Sequence, residues 1–363
     1  MKKNIRTLLA AMLAAALVLG MAPIAAVADS YEIAMITDLG TIDDKSFNQG
    51  AWEGIKEYAE PNGKTYHYYQ PDAQSTEIYL DYIEQAVNGG AKVIVTPGFL
   101  FEVPIFIAQD MYPDVHFILL DGNPNDGDYS KEGGPEFRTE KNAVGIVYAE
   151  EQAGFLAGYA AVKDGYTKLG FMGGMAVPAV IRFGYGFVQG IEYAAQEMGL
   201  SGLTVNYFYT GDFKATPEVQ SQAASWYASG VEVIFACGGA VGNSVMAAAE
   251  AAGGKVIGVD VDQSGESESV ITSAMKGLVP SVVQTLTAFY DGNFPGGEKI
   301  VKDAAVGGVS LPMETSKFTK FTQADYDAIF AKLVAGEVQL LKDSDVASAA
   351  EIPVKLCTVE EIK

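Results

Sequence analysis

Short apolar runs alternate with helix-like segments along most of the chain, and this alternation limits the folds that it can adopt. The runs are rich in Val, Ile, Tyr and Phe, and most lie next to Gly, Asp or Pro, as β-strands do. The segments between them are amphipathic. The alternation predicts βαβ units and therefore an α/β protein with parallel sheets. The strand candidates are 32–37, 65–69, 92–96, 116–120, 142–148, 168–172, 204–209, 232–236, 255–259 and 270–273.

Two stretches of the sequence, 88–122 and 228–262, share one plan. In each, a Gly precedes a strand, a Gly-containing turn follows it, and a helix leads to a second strand that ends in Asp. One copy lies in each half of the chain, so the sequence predicts two similar α/β domains. The length of 363 residues also fits about two domains. Chance recurrence of βα units would give the same pattern.

The first residues have the pattern of an export signal. Basic residues precede the apolar run 8–18, and 26–28 (Ala-Val-Ala) offers a cleavage site, so we expect a signal peptide over 1–28. An uncleaved anchor is the alternative, because the apolar stretch 7–28 is just long enough to span a bilayer. No Cys lies near the cleavage site. We therefore expect an exported, periplasmic protein without a lipid anchor.

The composition excludes several classes of protein. The formal net charge is −22, which repels nucleic acid and anionic membranes. The two histidines, His67 and His116, both lie inside strand candidates. The sequence therefore lacks the set of residues that a zinc site or a His-based catalytic triad requires. We expect no cofactor, no metal and a monomer. Export permits a disulfide between Cys237 and Cys357, but a buried apolar Cys237 is the favoured alternative.

Candidate binding residues follow from the predicted sheets, because ligands of open parallel sheets bind beyond the carboxyl ends of the strands. Glycines there allow a ligand to approach the backbone, and carboxylates accept hydrogen bonds from hydroxyl or amine donors. Several strands ending in acid disfavour an anion and suit a neutral polyol, a nucleoside or a cation. For Asp43 and Asp44, capping of the next helix is favoured instead. The strand-end residues are Asp38, Gly98, Asp121, Gly173, Gly174, Gly238, Gly239, Asp260 and Asp262.

Three aromatic residues and one lysine complete the candidate site. Phe47 lies in a polar loop beside Asn48, where it offers a face for a flat ring or staples onto the following helix. Phe183 and Phe187 lie one turn apart on one helix face, so we expect one in the core and the other at the ligand. Lys276 follows a strand and either donates to the ligand or is solvated.

Several segments together resemble the basic membrane protein (BMP) family of ABC-transporter substrate-binding proteins, and in particular the PnrA-like purine nucleoside receptors. They include "TDLGTIDDKSFNQGAWEG", "EEQAGFLAGYAA", "GVDVDQ" and "ITSAMKG", and the resemblance runs from about 31 to 308. It implies a type I periplasmic-binding-protein fold: two doubly wound parallel-sheet lobes joined by three crossovers. It also implies a nucleoside in the cleft between the lobes and ABC permease subunits as partners.

The resemblance further implies roles for individual residues. The base would lie between Phe47 and either Phe183 or Phe187. Asp38 and Asp121 would face the base.

The remaining roles implied by the resemblance concern the ribose and the backbone. Asn48 would lie near the base. Asp260 or Asp262 would hold the ribose hydroxyls with help from Lys276. The pair Gly238-Gly239 would offer backbone contacts.

The lobes and the alternatives to this function complete the expectations. Lobe 1 is predicted over 29–148 plus 264–292, lobe 2 over 149–263 plus 293–350, and a C-terminal tail over 351–363. We expect a non-enzymatic binding protein. The alternatives are a binder of a sugar or quorum signal on the same fold, or a nucleoside-processing enzyme, for which the sequence offers no clear general base beyond the acids.

Overall fold

Two β-sheets form the two lobes of the protein, and the computed structural model describes residues 30–362. The predicted signal peptide, 1–28, lies outside the described residues. In chain order, the strands are β1 (Ile33–Ile36), β2 (Tyr66–Tyr69), β3 (Val93–Pro97), β4 (His116–Leu120), β5 (Ala143–Tyr148), β6 (Lys168–Gly173), β7 (Leu203–Tyr209), β8 (Val233–Cys237), β9 (Lys255–Asp260), β10 (Val270–Lys276), β11 (Lys299–Lys302), β12 (Val309–Ser310) and β13 (Cys357–Glu361). The helices are α1 (Phe47–Ala59), α2 (Thr76–Asn88), α3 (Glu102–Met111), α4 (Glu150–Asp164), α5 (Pro178–Met198), α6 (Pro217–Ala228), α7 (Val241–Ala252), α8 (Leu278–Tyr290) and α9 (Gln323–Val334).

The two sheets share one strand order. The first sheet runs β2-β1-β3-β4-β5-β11, and the second runs β13-β7-β6-β8-β9-β10-β12. Strands β1 to β5 and β6 to β10 are therefore arranged alike, and all of these pairings are parallel. This arrangement confirms the predicted α/β fold of two doubly wound lobes. Each of the ten predicted strands overlaps one of β1 to β10.

The alternating side chains of each central strand bury both faces of its sheet. Along β1, Ile33 and Met35 pack on the face covered by α1, while Ala34 and Ile36 pack with α2 and α3 on the other. All four are fully buried. Side chains alternate with a period of two along a strand, so a continuous apolar run is what a strand covered on both faces requires.

The chain crosses between the lobes three times, and the crossovers lie side by side. It leaves the first sheet after β5, returns after β10 and leaves again after β11. The backbone N–H of Ala149 donates to the carbonyl of Lys302 at 3.0 Å, and that of Gly277 donates to the carbonyl of Gly308 at 2.9 Å. These bonds tie the crossovers into one hinge, as the predicted fold requires.

The sheet pairings correct the predicted boundaries of the lobes. The segment 264–292, assigned to lobe 1, contains β10, which pairs with β9 in the second sheet. The segment 293–350, assigned to lobe 2, contains β11, which pairs with β5 in the first sheet. The predicted tail, 351–363, contains β13, which pairs with β7. The chain changes lobe directly at the ends of strands, where the composition does not change.

Glycines allow α4 and α5 to pack backbone against backbone. A β-carbon at Gly154 would overlap the carbonyl oxygen of Phe183, and one at Gly158 would overlap that of Phe187. Larger side chains would therefore force the helices apart. The contact fixes the orientation of α5 and with it the direction of its aromatic side chains.

The two cysteines, Cys237 and Cys357, are both buried and are not bonded to each other, in agreement with the buried-thiol alternative.

Among residues 30–362, no helix combines the length and the apolar character needed to cross a bilayer.

Candidate functional site

A cavity of about 340 Å³ lies between the lobes, at the carboxyl ends of both sheets. Its volume is within the roughly 300–1,000 Å³ typical of small-molecule sites. Nine of the ten candidate site residues line it: Asp38, Phe47, Asn48, Asp121, Phe183, Gly238, Gly239, Asp260 and Lys276. The residues predicted from the strand ends, the aromatic side chains and the family resemblance therefore lie around one cavity, and their contact with a ligand stays a prediction.

The loop before α1 is held by the carboxylate of Asp44. This side chain accepts hydrogen bonds from the backbone N–H groups of Ser46 at 2.8 Å, Asn48 at 3.0 Å and Gln49 at 3.1 Å. The first N–H groups of a helix lack partners within the helix, and Asp44 supplies them, as the capping interpretation predicted. Burial raises the pKa of Asp44 to about 6. The cap places Phe47, the first residue of α1, at the cavity.

Asp38 lies at the end of β1 with one oxygen engaged. Its Oδ1 accepts hydrogen bonds from the N–H of Gly40 at 2.8 Å and from Nδ2 of Asn48 at 2.9 Å. Gly98 has a φ of +118°, and a β-carbon there would lie 2.9 Å from Asp38 Oδ2. Glycine at 98 thus makes room for the carboxylate. Burial, and to a smaller extent the nearby Asp121, raises the pKa of Asp38.

Asp121 and Asp260 end equivalent strands, β4 and β9, in the same unusual conformation. Their φ angles are 57° and 66°, in the left-handed region that non-glycine residues seldom adopt. Strained backbone of this kind clusters at ligand sites, where the surrounding structure holds it in place. The two copies of the repeated sequence plan therefore deliver their terminal aspartates to the cavity with matching geometry.

Lys276 lies among three carboxylates and is almost fully buried, with 3% of its side chain exposed. Its Nζ donates to Asp121 Oδ2 and lies 3.6 Å from both Asp260 Oδ1 and Glu150 Oε1. Burial alone would lower the pKa of Lys276, but Asp121, Asp260 and Glu150 raise it above its ordinary value. The lysine is therefore a fixed cation and not a solvated side chain.

Glu150 is a member of this cluster that the sequence reasoning missed. It begins α4, and an acid in the first turn of a helix is ordinarily a favourable match to the helix dipole. Here its Oε2 lies 3.4 Å from Nη1 of Arg182, which also pairs with Asp343 at 2.7 Å. Burial raises the pKa of Glu150 to about 7, in spite of Lys276. The segment "EEQAG" gave no local signal that this acid contacts a lysine from the second sheet.

Two phenylalanines from opposite lobes flank the ammonium of Lys276. Its Nζ lies 4.8 Å from the ring centroid of Phe47 and 5.1 Å from that of Phe183. Phe47 projects from the start of α1 in the first lobe, and Phe183 from α5 in the second. The two rings therefore border the same small part of the cavity.

Two of the alternatives left open by the sequence lie away from the cavity. Phe183 and Phe187 are both buried and both pack against Phe235, at 5.8 and 5.4 Å between ring centroids, but only Phe183, which lies one turn nearer the start of α5, lines the cavity. The inclusion of Phe187 among the ligand residues is corrected on this ground. Asp262 is exposed and accepts a hydrogen bond from Thr315 Oγ1 at 2.6 Å. At the cavity itself are Phe183 and Asp260.

The chemistry of the cavity follows from these side chains. Carboxylates outnumber the buried ammonium, so an anionic ligand would be repelled. A neutral molecule with a flat ring and several hydrogen-bond donors matches the phenyl rings and the carboxylate oxygens. Within the described part of the chain, no three His, Cys, Asp or Glu side chains are arranged to hold a metal ion.

A known protein family matches most of the chain. A family model described as "ABC transporter substrate-binding protein PnrA-like" matches residues 31–343. The chain is 29% identical over 306 residues to the ABC transporter nucleoside-binding protein BmpA of Lactococcus lactis, covering 78% of this chain and 82% of that protein. It is 30% identical over 308 residues to basic membrane protein A2 of Borrelia garinii, covering 82% and 85%.

Solved structures share the fold. A solute-binding protein of an ABC transporter system from Aeropyrum pernix superposes with a TM-score of 0.74 at 21% identity, over 88% of this chain and 95% of that one. A second, from Conexibacter woesei, gives 0.67 at 24% identity, over 86% and 99%. These structures extend the likeness in architecture across both lobes.

Proposed function

The chain belongs to the PnrA-like family of ABC transporter substrate-binding proteins, and we propose that it binds a purine nucleoside in the interlobe cavity and delivers it to a membrane permease. One observation carries the proposal: Phe47 and Phe183, from opposite lobes, border the same volume that Asp38, Asp121 and Asp260 reach. The nucleoside-binding relative from Lactococcus lactis supports the same ligand class.

In the proposed complex, the purine ring lies between the two phenyl rings. Base–aromatic stacking contributes roughly 1–3 kcal/mol per base. Asp38 and Asp121 accept hydrogen bonds from N–H groups at the edge of the base. Asp260 accepts from the ribose hydroxyls.

The protein acts in this proposal as a carrier and not as an enzyme. Its family is one of solute-binding proteins. The three side-by-side crossovers provide a hinge about which the lobes open and close, as ligand-enclosing two-lobed proteins do. Transfer to a permease takes place outside the cytoplasm, in agreement with the export signal predicted over 1–28. The closed lobes would together form the surface that the permease recognises.

Thermal shift with a ligand panel tests the binding. We expect inosine, guanosine or adenosine to raise the melting temperature, since a ligand at about 100 times its Kd adds roughly 2.7 kcal/mol of stability. Ribose should bind far more weakly because it lacks the ring. Inosine 5′-monophosphate should not bind, because its phosphate adds negative charge among carboxylates. A preference for a sugar over every nucleoside would favour the alternative ligand class.

A matched pair of variants tests the stacking. Phe47→Ala should weaken inosine roughly 5- to 150-fold, the equivalent of one stacked base. Phe137→Ala removes an exposed ring that does not line the cavity and should leave the affinity unchanged. Chromatography of the same mixtures should show intact nucleoside. Release of free base would contradict the carrier role.

A further inference from the structure

A side-chain amide of the second lobe forms a hydrogen bond with the segment that precedes Phe47. This amide is not one of the proposed ligand contacts. This side chain is Gln263, which lies just after β9 in the segment "GVDVDQ" and is only 1% exposed. Its Nε2 donates to the backbone carbonyl of Lys45 at 2.7 Å. Lys45 precedes α1 in the first lobe, so this hydrogen bond joins the two lobes.

Gln263 is held rigidly on its own side. Its Oε1 accepts a hydrogen bond from the N–H of Val259 at 3.1 Å, and its backbone N–H donates to Ser273 Oγ at 3.0 Å. A β-carbon at Gly258 would overlap Gln263 Oε1 and lie 2.6 Å from Ser273 Oγ. The absence of a side chain at Gly258 therefore makes space for the Gln263 amide. With its oxygen engaged within the second lobe, the amide presents its N–H group to the first.

The receiving residue, Lys45, has a distinctive backbone conformation. Its φ is 62°, and among residues 30–362 the only other non-glycine residues with positive φ are Asp121 and Asp260 at the cavity. The Lys45 N–H donates to Gln49 Oε1 at 3.1 Å. The left-handed turn is thus supported from α1 while its carbonyl is bound by the opposite lobe.

The next residues connect this turn to the cavity. Ser46 is fully buried, and its Oγ donates to Asp260 Oδ2 at 2.6 Å, a second hydrogen bond between the lobes. Phe47 follows and lines the cavity. Any shift of Lys45 is therefore passed along two peptide units to the ring that borders the ligand volume.

We propose that Gln263 is a positioning residue that clasps the Lys45 carbonyl when the lobes close and thereby holds Phe47 against the bound ligand. This clasp rests on the proposed function, since it concerns retention of the nucleoside. It forms only when the lobes meet. Its loss therefore accelerates release of the ligand much more than it slows capture.

The isosteric variant Gln263→Glu isolates the clasp. The introduced carboxylate still accepts from the Val259 N–H but has no proton for the Lys45 carbonyl, and two oxygens then face each other. At pH 8 we expect the dissociation rate of inosine, measured by stopped flow, to rise about 10- to 100-fold, with the association rate changed less than about threefold. At pH 5 the carboxyl gains a proton and the dissociation rate should move back toward that of the wild type.

The matched control is Gln220→Glu, which makes the same charge change at an exposed position on α6 of the same lobe. It should leave both rates unchanged at both pH values. Lys45→Pro disrupts the clasp from the other side without altering the buried amide, because proline fixes φ near −65°. It should raise the dissociation rate as well, and the double variant with Gln263→Glu should add little more.

The outcomes separate the clasp from the nucleoside proposal. Failure of the wild type to bind any of inosine, guanosine and adenosine would overturn the proposed function. The clasp would still be testable by hydrogen exchange of the protein without a ligand. There, the amides of 46–49 should exchange faster in Gln263→Glu than in Gln220→Glu, while those of β1 and β8 are unchanged. Unchanged exchange of 46–49, or dissociation rates equal to those of the control, would overturn the clasp. Faster exchange throughout the chain would show a merely structural role and also overturn it.

Discussion

Replacing Lys276 by methionine should destabilise the protein strongly and in a pH-dependent way. The change keeps most of the side-chain volume but removes the ammonium that Asp121, Asp260 and Glu150 surround. Removing one partner of a buried ion pair costs about 3–5 kcal/mol, because the remaining charge loses its compensation. We expect the free energy of unfolding to fall by about this amount.

The expected shift in melting temperature follows from the size of the chain. For a protein of this length the entropy of unfolding is roughly 0.7 kcal/mol per kelvin, so the melting temperature should drop by about 4–7 °C. Without the lysine, the pKa values of Asp121 and Glu150, which burial already raises, rise further above their values in the unfolded chain. The folded variant then binds more protons than the unfolded one, and stability is lost as the pH rises. The deficit relative to wild type should therefore be larger at pH 8 than at pH 5.

Differential scanning calorimetry of the ligand-free protein at both pH values measures these effects. Lys92→Met is the control, because Lys92 is an exposed lysine paired with Glu32 at 2.8 Å, and surface pairs contribute about 0–1 kcal/mol. Adding Asp121→Asn to Lys276→Met should recover part of the loss. A loss no greater than that of Lys92→Met, or one of equal size at pH 5 and pH 8, would refute the charge-cluster reasoning.

Two further substitutions test the surroundings of the site. Burial raises the pKa of Glu150 from its ordinary 4.5 to about 7, so its contribution to stability is present below pH 4.5 and is lost as the pH rises to 7. In urea titrations, the free energy of unfolding of Glu150→Gln should fall less steeply with pH over this range than that of the wild type. An identical pH profile would contradict the raised pKa. Gly158→Val should lower the melting temperature sharply, because its β-carbon would overlap the Phe187 carbonyl. Gly242→Ala should lower it only slightly, because its β-carbon would meet only Met246 Cε, at 3.7 Å. Similar melting temperatures of the two variants would refute the close packing of α4 and α5.

Much of the architecture was predictable because its signals are local. Strands β1, β3, β4 and β8 are buried, largely apolar runs, as strands covered on both faces must be, whereas β2 and β7 are only partly buried and are marked by their aromatic residues. Strands β11 and β13, "KIVK" and "CTVEE", are short and only partly buried, so they carry no such run. Their sheet membership depends on where the chain crosses between lobes, which is a tertiary property.

The site was predictable to the extent that topology alone positions it. Asp121 and Asp260 follow strands, and the rule for parallel sheets brings such residues to the cavity. Glu150 resembles an ordinary helix-start acid, and only the three-dimensional arrangement sets it against Lys276. Likewise, Phe183 and Phe187 share a helix face in sequence, and only the position of the cavity at the start of α5 decides that Phe183 borders it.

A crystal structure of the protein with inosine bound tests the central claim most directly. We expect the purine ring between the phenyl rings of Phe47 and Phe183, with its edge toward Asp38 and Asp121 and the ribose hydroxyls on Asp260. Inosine bound outside the interlobe cavity, or inside it with neither phenyl ring against the base, would contradict the claim.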